Sequence, residues 1–453
     1  MIAINSIKNI YFIGIGGIGM SALARYFNQK GIKVFGYDKT STTLTKQLEA
    51  EGMAIHYDDA IDLLQKDIDL VVYTPAIPKD HKELNWYKES GFTLYKRSDL
   101  LEAISASLFA VTVAGTHGKT TISTMCAYLL RAMGVGANAF LGGISVNYNT
   151  NYWSSDAPNA VIEADEYDRS FLKLNPSIAV LSSMDADHLD IYGTPESMED
   201  AFIAYTTKIK KGGTLIAKYG LKRAGDLVAD RIITYSLQDT NADVFASDIK
   251  VENGSYRFNI SSKWFQLQDV VMQIGGLHNI ENALAAFTVC FTMQLDLEKA
   301  KACFADFKGI KRRFEYIVKS NDTVYIDDYA HHPAELETLI KSAKNLYPNK
   351  KCLVVFQPHL FSRTKDLVNG FASSLSLADE LIILPIYPAR ELPMEGVTSE
   401  LILSVMQVKK GTVLSKEDTL QYIQDHKIEL LITAGAGDID QLIQPIKTII
   451  ETK

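Results

Sequence analysis

Cysteine is scarce in this chain, with four residues among 453. Cys126, Cys290, Cys303 and Cys352 are too scattered for a disulfide framework or a zinc site. Long apolar runs are also missing, since no stretch approaches the ~18–20 residues that a membrane span needs. The first eight residues lack the charged and apolar regions of a secretion signal. These absences predict a cytoplasmic protein with reduced thiols and no membrane insertion.

The chain also has no excess of basic residues. Its 46 lysines and arginines against 54 acidic residues give a formal net charge of −8. A general nucleic-acid binder is normally basic, so no nucleic-acid partner is predicted. A composition of 47% hydrophobic and 22% charged residues is typical of globular proteins. Because single cores stop growing at roughly 250–300 residues, the length predicts several domains.

Three successive segments alternate short apolar runs with amphipathic stretches. The first contains NIYFIG, KVFGYD, DLVVYT and FTLYK, and the second starts at LFAVTVAG. The third starts near Asp322 and contains TVYIDDY, CLVVFQPH, ELIILPIY and ELLITAGAG. Asn253-Gly254 predicts a hairpin turn within the second segment. This rhythm predicts parallel sheets flanked by helices, in an α/β fold with domains at 1–107, 108–320 and 321–453.

A complete G-x-G-x-x-G motif follows the first predicted strand and opens a helix. It consists of Gly14, Ile15, Gly16, Gly17, Ile18 and Gly19. Asp38 ends the next strand, where a ribose-binding acid is expected. The glycines let backbone N–H groups approach a pyrophosphate at the helix N-terminus. A tight turn without a ligand is the alternative, and the motif does not distinguish NAD from other nucleotide diphosphates.

A second glycine-rich loop again lies between a strand and a helix. It consists of Gly115, Thr116, His117, Gly118, Lys119, Thr120 and Thr121. The match to the P-loop pattern is incomplete, because Val113 occupies the first glycine position. Lys119 would neutralise the β- and γ-phosphates, and the Thr120 hydroxyl would ligate Mg²⁺. Two phosphate sites predict an ATP-driven enzyme whose other substrate is a nucleotide conjugate.

Acidic and histidine clusters follow the strands of the second segment. Glu163, Asp165, Glu166 and Asp168 come directly after the strand NAVI. Four acids at a strand end repel one another unless a cation is present, so a Mg²⁺ ligand is predicted, with a solvated loop as the alternative. His188 follows the next strand and could bind a metal, contact a phosphate or be structural.

Polar residues also cluster further along the chain. Asn279 and Asn282 open a helix, where they could be caps or could bind the edge of an adenine. Arg312 and Arg313 lie in a basic turn and could be solvated or reach a phosphate. Arg363 could hold a carboxylate through two hydrogen bonds or form a surface salt bridge.

Taken in order, these stretches resemble the Mur ligase family of peptidoglycan synthesis over essentially the whole chain. The resemblance is carried by GIGGIGMSALA, AGTHGKTT, EADEYDRSFL, DHLDIYG, GLHNIENALAA, GIKRRFE, DDYAHHP, FQPHLFSRT and TAGAGDID. It implies a Rossmann-like N-terminal domain, a central P-loop ATPase-like domain and a Rossmann-like C-terminal domain. It also implies ATP and Mg²⁺ as cofactors.

The resemblance assigns roles to particular residues. The UDP-sugar would be held by Gly14 to Gly19, Asp38, Thr74, Pro75 and Ala76. ATP would be held by Gly115 to Thr121, Asn279, Asn282, Arg313, Asp328 and His331. Thr120, Glu163 and His188 would hold the metal, with Lys119, Glu163 and His188 as catalytic residues. His359 and Arg363 would bind the amino acid.

Within the family, the chain is most similar to members that join L-alanine to the lactyl carboxylate of UDP-N-acetylmuramate through an acyl phosphate. That reaction is the first stem-peptide step, and a monomer or weak homodimer is expected. EADEYD instead of EADESD also resembles the relative that attaches a recovered tripeptide, whereas GIGGIGMS differs from that relative's usual GICGTFMG. An NAD-dependent dehydrogenase and a P-loop switch protein are the alternatives from other classes.

Overall fold

The structure is a computed structural model that describes residues 6–74, 76–167, 169–252, 254–389, 391–406 and 411–453. It contains three β-sheets with helices between the strands, which confirms the predicted α/β fold. The chain forms two compact units. The first unit comprises Met1–Ser247, Asn259–Gln268 and Glu281–Phe304, and the second comprises Asp248–Phe258, Asp269–Ile280 and Ala305–Lys453. The domain boundaries expected from the sequence stay predictions.

The first sheet is built from the N-terminal hundred residues. Its strands are β1 (Asn9–Ile13), β2 (Lys33–Tyr37), β3 (Ala54–His56), β4 (Leu70–Tyr73) and β5 (Leu94–Lys96). Its helices are α1 (Ile18–Gln29), α2 (Thr43–Ala50), α3 (Lys82–Glu89) and α4 (Arg97–Ser107), with a 3-10 turn at Ile61–Leu63. The strands are parallel in the order β3-β2-β1-β4-β5. The strand order reverses at β1, which is where ligands bind in such sheets.

A buried carboxyl lies between this sheet and α3. The Glu83 side chain is fully buried, and the Tyr11 hydroxyl donates to its Oε2 at 2.7 Å. Its Oε1 has no hydrogen-bond partner and lies 3.5 Å from His56 Nε2. Desolvation raises the pKa of Glu83 to about 7, because burial disfavours the charged form.

This raised pKa predicts a pH-dependent effect of Glu83→Gln on stability. The folded state holds its proton more tightly than the unfolded state, so wild-type stability falls as pH rises from about 4.5 to about 7. The variant should therefore match wild type near pH 4.5 and exceed it above pH 7 by up to about 3 kcal/mol. Urea unfolding at several pH values measures this difference. Glu89→Gln, on the exposed side of the same helix, is the control, and a pH-independent difference for Glu83→Gln would contradict the prediction.

The second sheet has ten strands. They are β6 (Phe109–Ala114), β7 (Asn138–Ser145), β8 (Thr150–Trp153), β9 (Asn159–Glu163), β10 (Ile178–Leu181), β11 (Thr214–Lys218), β12 (Arg231–Ser236), β13 (Val244–Glu252), β14 (Ser255–Ser262) and β15 (Gln266–Met272). The helices are α5 (Lys119–Ala132), α6 (Leu189–Tyr192), α7 (Pro195–Thr206), α8 (Leu277–Thr292) and α9 (Leu297–Phe304), with 3-10 turns at Ser170–Lys173 and Ala224–Asp226. The order is β15-β14-β13-β12-β11-β10-β6-β9-β7-β8. The central strand β6 therefore has β9 and β10 as neighbours, which brings the loops after these three strands together.

Only part of the predicted hairpin lies within the described residues. Strands β13 and β14 are neighbours in the sheet, as the Asn253-Gly254 signal predicts. Asn253 itself lies outside the described residues. Gly254 has a φ of +68°, which glycine adopts without steric cost.

The third sheet belongs to the second unit. Its strands are β16 (Glu315–Lys319), β17 (Val324–Asp328), β18 (Cys352–Phe356), β19 (Glu380–Ile383), β20 (Gly411–Val413) and β21 (Leu430–Ala434). Its helices are α10 (Pro333–Leu346), α11 (Phe361–Asp366), α12 (Val368–Leu375), α13 (Glu400–Val405), α14 (Lys416–Asp425) and α15 (Ile443–Thr452), with a 3-10 turn at Asp438–Leu442. The order is β16-β17-β21-β18-β19-β20.

This third sheet is parallel, as the sequence predicts, except for one antiparallel pair at its edge. Strand β16 pairs with β17 in antiparallel fashion, whereas the other pairs in the sheet are parallel. The two strands follow each other closely along the chain, which permits an antiparallel connection without a crossover helix. Within the part of the chain that the structure describes, no helix has the length and apolar character to cross a membrane.

Candidate active site

The first glycine loop joins β1 to α1 at the point where the first sheet reverses its order. The amides of Gly14 and Ile15 both donate to the Tyr37 carbonyl, at 2.8 and 3.0 Å. A side chain at Gly14 would collide with Thr74, which follows β4. Thr74 is therefore packed against the loop. Pro75, predicted for the same site, lies outside the described residues, and Ala76 is exposed beside it.

Asp38 is the acid that the motif places at the end of β2. Its Oδ2 accepts a hydrogen bond from the Gly16 amide at 2.7 Å, and its Oδ1 accepts one from Thr40 at 3.2 Å. A Cβ at Gly16 would lie only 2.8 Å from the Asp38 carboxylate. The carboxylate thus holds the shape of the glycine loop, and its predicted contact with the UDP-sugar stays a prediction.

The second glycine loop joins β6 to α5, and its lysine points back into the loop. Lys119 Nζ donates to the Gly115 carbonyl at 2.8 Å and reaches the Thr116 carbonyl at 3.4 Å. It also forms an ion pair with Glu166 Oε1 at 2.7 Å. An ammonium group that is surrounded by oxygen atoms at a helix N-terminus is well placed to receive phosphate oxygens.

Two serines that directly follow β10, and that sequence reasoning missed, shape this loop. Ser183 Oγ accepts from the His117 amide at 2.8 Å, and Ser182 Oγ donates to the His117 carbonyl. Gly115 has a φ of +125°, and a Cβ there would collide with Ser182. The Thr116 hydroxyl donates to the Asp185 carbonyl at 2.8 Å. The serines end the predicted strand SIAVLSS, so only the pairing of β6 with β10 reveals their role.

Thr120 and Glu163 come together at the start of α5. The Thr120 hydroxyl donates to Glu163 Oε1 at 2.9 Å, and the Gly142 amide donates to Glu163 Oε2 at 2.8 Å. Any side chain at Gly142 would collide with the Glu163 carboxylate. The carboxylate is therefore held in one position, beside the hydroxyl that the sequence predicts as a metal ligand.

His188 lies at the start of α6, in the loop after β10. Its ring packs edge-on against Tyr167, with ring centroids 5.2 Å apart and an interplanar angle of 87°. The neighbouring Tyr192 hydroxyl donates to the Glu166 carbonyl at 2.6 Å. These contacts join the His188 segment to the acidic cluster. Asp168, the last acid of that cluster, lies outside the described residues.

A cavity of about 260 Å³ lies in the first unit, between the residues that follow β4 and those at the end of β9. Thr74 and Ala76 line it from the first sheet, and Glu163 and Asp165 line it from the second. Tyr167 contributes a further part of the wall. Two of the predicted sugar-nucleotide residues, Thr74 and Ala76, thus face the same space as Glu163, a predicted metal ligand.

Two basic residues in the cavity wall were not predicted from the sequence. Lys96 and Arg97 stand at the start of α4 and line the cavity. A Cβ at Gly19 would lie 2.6 Å from Arg97 Nε, so the guanidinium rests on the first glycine loop. Arg97 Nε is buried and has no hydrogen-bond partner. The sequence signal was weak, since KRSDLL resembles an ordinary helix start.

The two asparagines of α8 have different surroundings. The Asn282 side chain lies over the second glycine loop, because a Cβ at Gly118 would be 2.8 Å from its Oδ1. The side-chain Nδ2 of Asn279 donates to the Gly275 carbonyl at 2.6 Å. Both side chains are buried. Their contact with adenine stays a prediction.

The two consecutive arginines of the basic turn before β16 have different surroundings. Arg312 donates to Asp327 Oδ2 at 3.2 Å and to the Gly435 carbonyl at 2.6 Å. Its role is therefore structural. Arg313 is exposed and lies close enough to Asp328 to lower the pKa of that carboxyl. Desolvation outweighs this effect and raises the pKa of Asp328 to about 6. The two residues predicted to contact nucleotide are thus neighbours.

His331, His359 and Arg363 gather at the carboxyl ends of β17 and β18. The His331 and His359 ring centroids are 6.3 Å apart, and the Tyr387 ring stacks on His359 at 5.8 Å. Arg363 Nη1 is buried without a hydrogen-bond partner, and no ion pair of Arg363 occurs in the described part of the chain. Desolvation, together with the Arg363 charge, lowers the pKa of His359, which favours the neutral imidazole. A guanidinium without a carboxylate is suited to bind one.

The three sheets, with glycine loops between strands and helices, define a multidomain α/β protein of the P-loop type. Comparison with protein families gives three matches: "Mur ligase family, catalytic domain" at residues 9–108, "Mur ligase middle domain" at 113–290 and "Mur ligase, glutamate ligase domain" at 312–439. The chain belongs to the Mur ligase family.

Individual relatives are similar to this chain over nearly its whole length. UDP-N-acetylmuramate–L-alanine ligase of Cytophaga hutchinsonii is 47% identical, covering 99% of this chain and 98% of the relative. The enzyme of that name from Porphyromonas gingivalis is 45% identical, covering 98% and 99%. Among solved structures, UDP-N-acetylmuramate–alanine ligase of Thermotoga maritima has a TM-score of 0.80 at 27% identity, covering 98% and 99%. A murein peptide ligase of Psychrobacter arcticus has a TM-score of 0.67 at 25% identity, with the same coverage.

Proposed function

We propose that this protein is an ATP-dependent ligase that joins L-alanine to the lactyl carboxylate of UDP-N-acetylmuramate, through an acyl phosphate, in peptidoglycan synthesis. The full-length relatives that are 42–47% identical carry the name of this reaction. The alanine ligase structure also matches the fold better than the peptide ligase structure does.

The observation that carries the proposal is the cavity that Thr74 and Arg97 line together with Glu163. An acyl phosphate forms only if the sugar's carboxylate reaches the γ-phosphorus of ATP, and this alignment accounts for much of the rate. Thr74 and Arg97 would hold the sugar nucleotide at one side of the cavity. Glu163 lies at the other side, beside Thr120 and the phosphate loop. A substrate bound in this cavity would therefore contact Thr74 and Arg97 at one end and approach Glu163 at the other.

The chemistry of Thr120 and Glu163 fits Mg²⁺. A hydroxyl and a carboxylate are hard oxygen ligands, and Mg²⁺ needs only one or two of them because it keeps several waters. Within the described ranges, no group of three or more His, Cys, Asp or Glu residues is arranged to hold a metal ion. Mg²⁺ bound at Thr120 and Glu163, with His188 as a further ligand, would supply charge neutralisation for phosphoryl transfer.

The protein's own groups would act in two stages. Lys119 would neutralise the migrating phosphoryl group while the glycine loops hold both nucleotides. The amine of L-alanine would then attack the acyl carbon, and phosphate would leave. Arg363 would bind the alanine carboxylate, beside the imidazole of His359. A cytoplasmic location and the contacts of Asn279, Arg313, Asp328 and His331 with ATP belong to the same proposal.

A direct assay tests this function. Purified protein is given UDP-N-acetylmuramate and ATP, with either L-alanine or the recovered tripeptide, and phosphate release is measured. Release with L-alanine is expected. Release only with the tripeptide would instead identify a peptide-recycling ligase. NAD protecting against thermal unfolding, where UDP-N-acetylmuramate does not, would favour a dehydrogenase.

A further inference from the structure

Glu166 is a buried carboxylate with one specific partner, the lysine of the phosphate loop. Its Oε1 lies 2.7 Å from Lys119 Nζ. The Glu166 side chain is 1% exposed, and that of Lys119 is 14% exposed. Its other oxygen, Oε2, is buried without a hydrogen-bond partner. The ammonium is therefore the main group that compensates this buried charge.

The backbone that carries Glu166 is fixed by its surroundings. Its carbonyl accepts from the Tyr192 hydroxyl at 2.6 Å and from the Arg169 amide at 3.0 Å. Three residues earlier, Glu163 contacts Thr120. Glu163, which ends β9, and Glu166, which follows it, thus contact two consecutive residues at the start of α5.

We propose that Glu166 is the positioning residue of Lys119, both in the empty loop and when phosphate is bound. An ammonium has three N–H groups, and here they are directed to Glu166 and to the carbonyls of Gly115 and Thr116. Phosphate oxygens can replace the two carbonyls. They cannot replace Glu166 cheaply, because a buried carboxylate that loses its cation is strongly destabilised. The third N–H therefore stays on Glu166 and fixes the direction of the other two.

Thermal unfolding without substrates tests the pairing and does not depend on the proposed function. Lys119→Ala should lower Tm by roughly 5–10 °C, because it leaves Glu166 buried and unpaired. Adding Glu166→Gln should restore most of this loss, since the glutamine carries no charge. A double variant as unstable as Lys119→Ala would overturn the proposal.

The chain offers an exposed pair of the same chemistry as a control. Lys46 Nζ and Glu49 Oε2 are 2.8 Å apart, but the Lys46 side chain is 60% exposed. Lys46→Ala, with or without Glu49→Gln, should change Tm by less than about 1–2 °C.

Kinetics separate positioning from a merely structural role. Glu166→Ala should lower kcat for phosphate release by roughly 10–100-fold, with the KM for ATP within about threefold of wild type. Glu166→Gln keeps an oxygen for Lys119, so it should recover about tenfold of the loss in kcat. This part rests on the proposed reaction, and wild-type turnover in the same assay distinguishes a failure of that reaction from a failure of the positioning role. Equal effects of both substitutions, or a loss confined to KM, would overturn the proposal.

Discussion

Replacement of Lys119 by alanine should abolish phosphate release from ATP. Lys119 is the only lysine of the glycine loop Gly115 to Thr121, and its ammonium faces the loop carbonyls. The transferring phosphoryl group spreads its charge over oxygens that this ammonium would neutralise. Loss of such a group costs roughly 10³-fold or more in rate. Phosphate release with UDP-N-acetylmuramate, ATP and L-alanine present measures the effect.

Two comparisons make this result specific. Lys46→Ala removes an exposed lysine on α2 and should leave phosphate release unchanged. Lys119→Arg keeps the charge but changes its shape and reach, so its activity should stay well below wild type. If Lys119→Ala retained activity within about tenfold of wild type, the phosphate-binding role of this loop would be wrong.

Replacement of Arg363 by alanine should mainly weaken the use of L-alanine. The guanidinium has a buried N–H without a partner, which an incoming carboxylate would satisfy. Two charge-assisted hydrogen bonds at about 1.5 kcal/mol each correspond to roughly 100-fold in affinity. The KM for L-alanine should rise by about that factor, while the KM for ATP stays within about twofold. Saturation curves for each substrate measure both values.

The helix that carries Arg363 supplies the control. Lys365→Ala removes an exposed charge from α11 and should leave the KM for L-alanine unchanged. Arg363→Lys keeps a charge without the planar fork and should give an intermediate KM. Normal saturation by L-alanine in Arg363→Ala would place the amino-acid site elsewhere.

Several features were predictable because they are local in sequence. Both glycine loops follow an apolar run and precede an amphipathic stretch, and the structure has β1 before α1 and β6 before α5 as expected. The resemblance to the Mur ligase family used motifs of the same local kind. Short strands such as β3 escaped prediction, since three residues carry no usable periodicity. The antiparallel edge strand β16 escaped because its direction depends on its neighbour β17.

The partners of the site residues were not predictable in the same way. Ser183, Arg97 and Gly142 are distant in sequence from the groups that they contact. Glu166 was part of a recognised acidic cluster, but nothing in EADEYD indicates which acid contacts Lys119. The assignment needs the distance of 2.7 Å that the fold produces.

By itself, the sequence determined the α/β class, the positions of the two glycine loops and the family to which the chain belongs. Backbone conformation and hydrophobic periodicity act over a few residues, so these features can be predicted from short stretches of the sequence. Only the tertiary structure decided that the loops after β6, β9 and β10 meet, and that Glu166 pairs with Lys119 there. Strand order is set by the burial of whole faces of the sheet, and that burial depends on contacts between residues far apart in the chain.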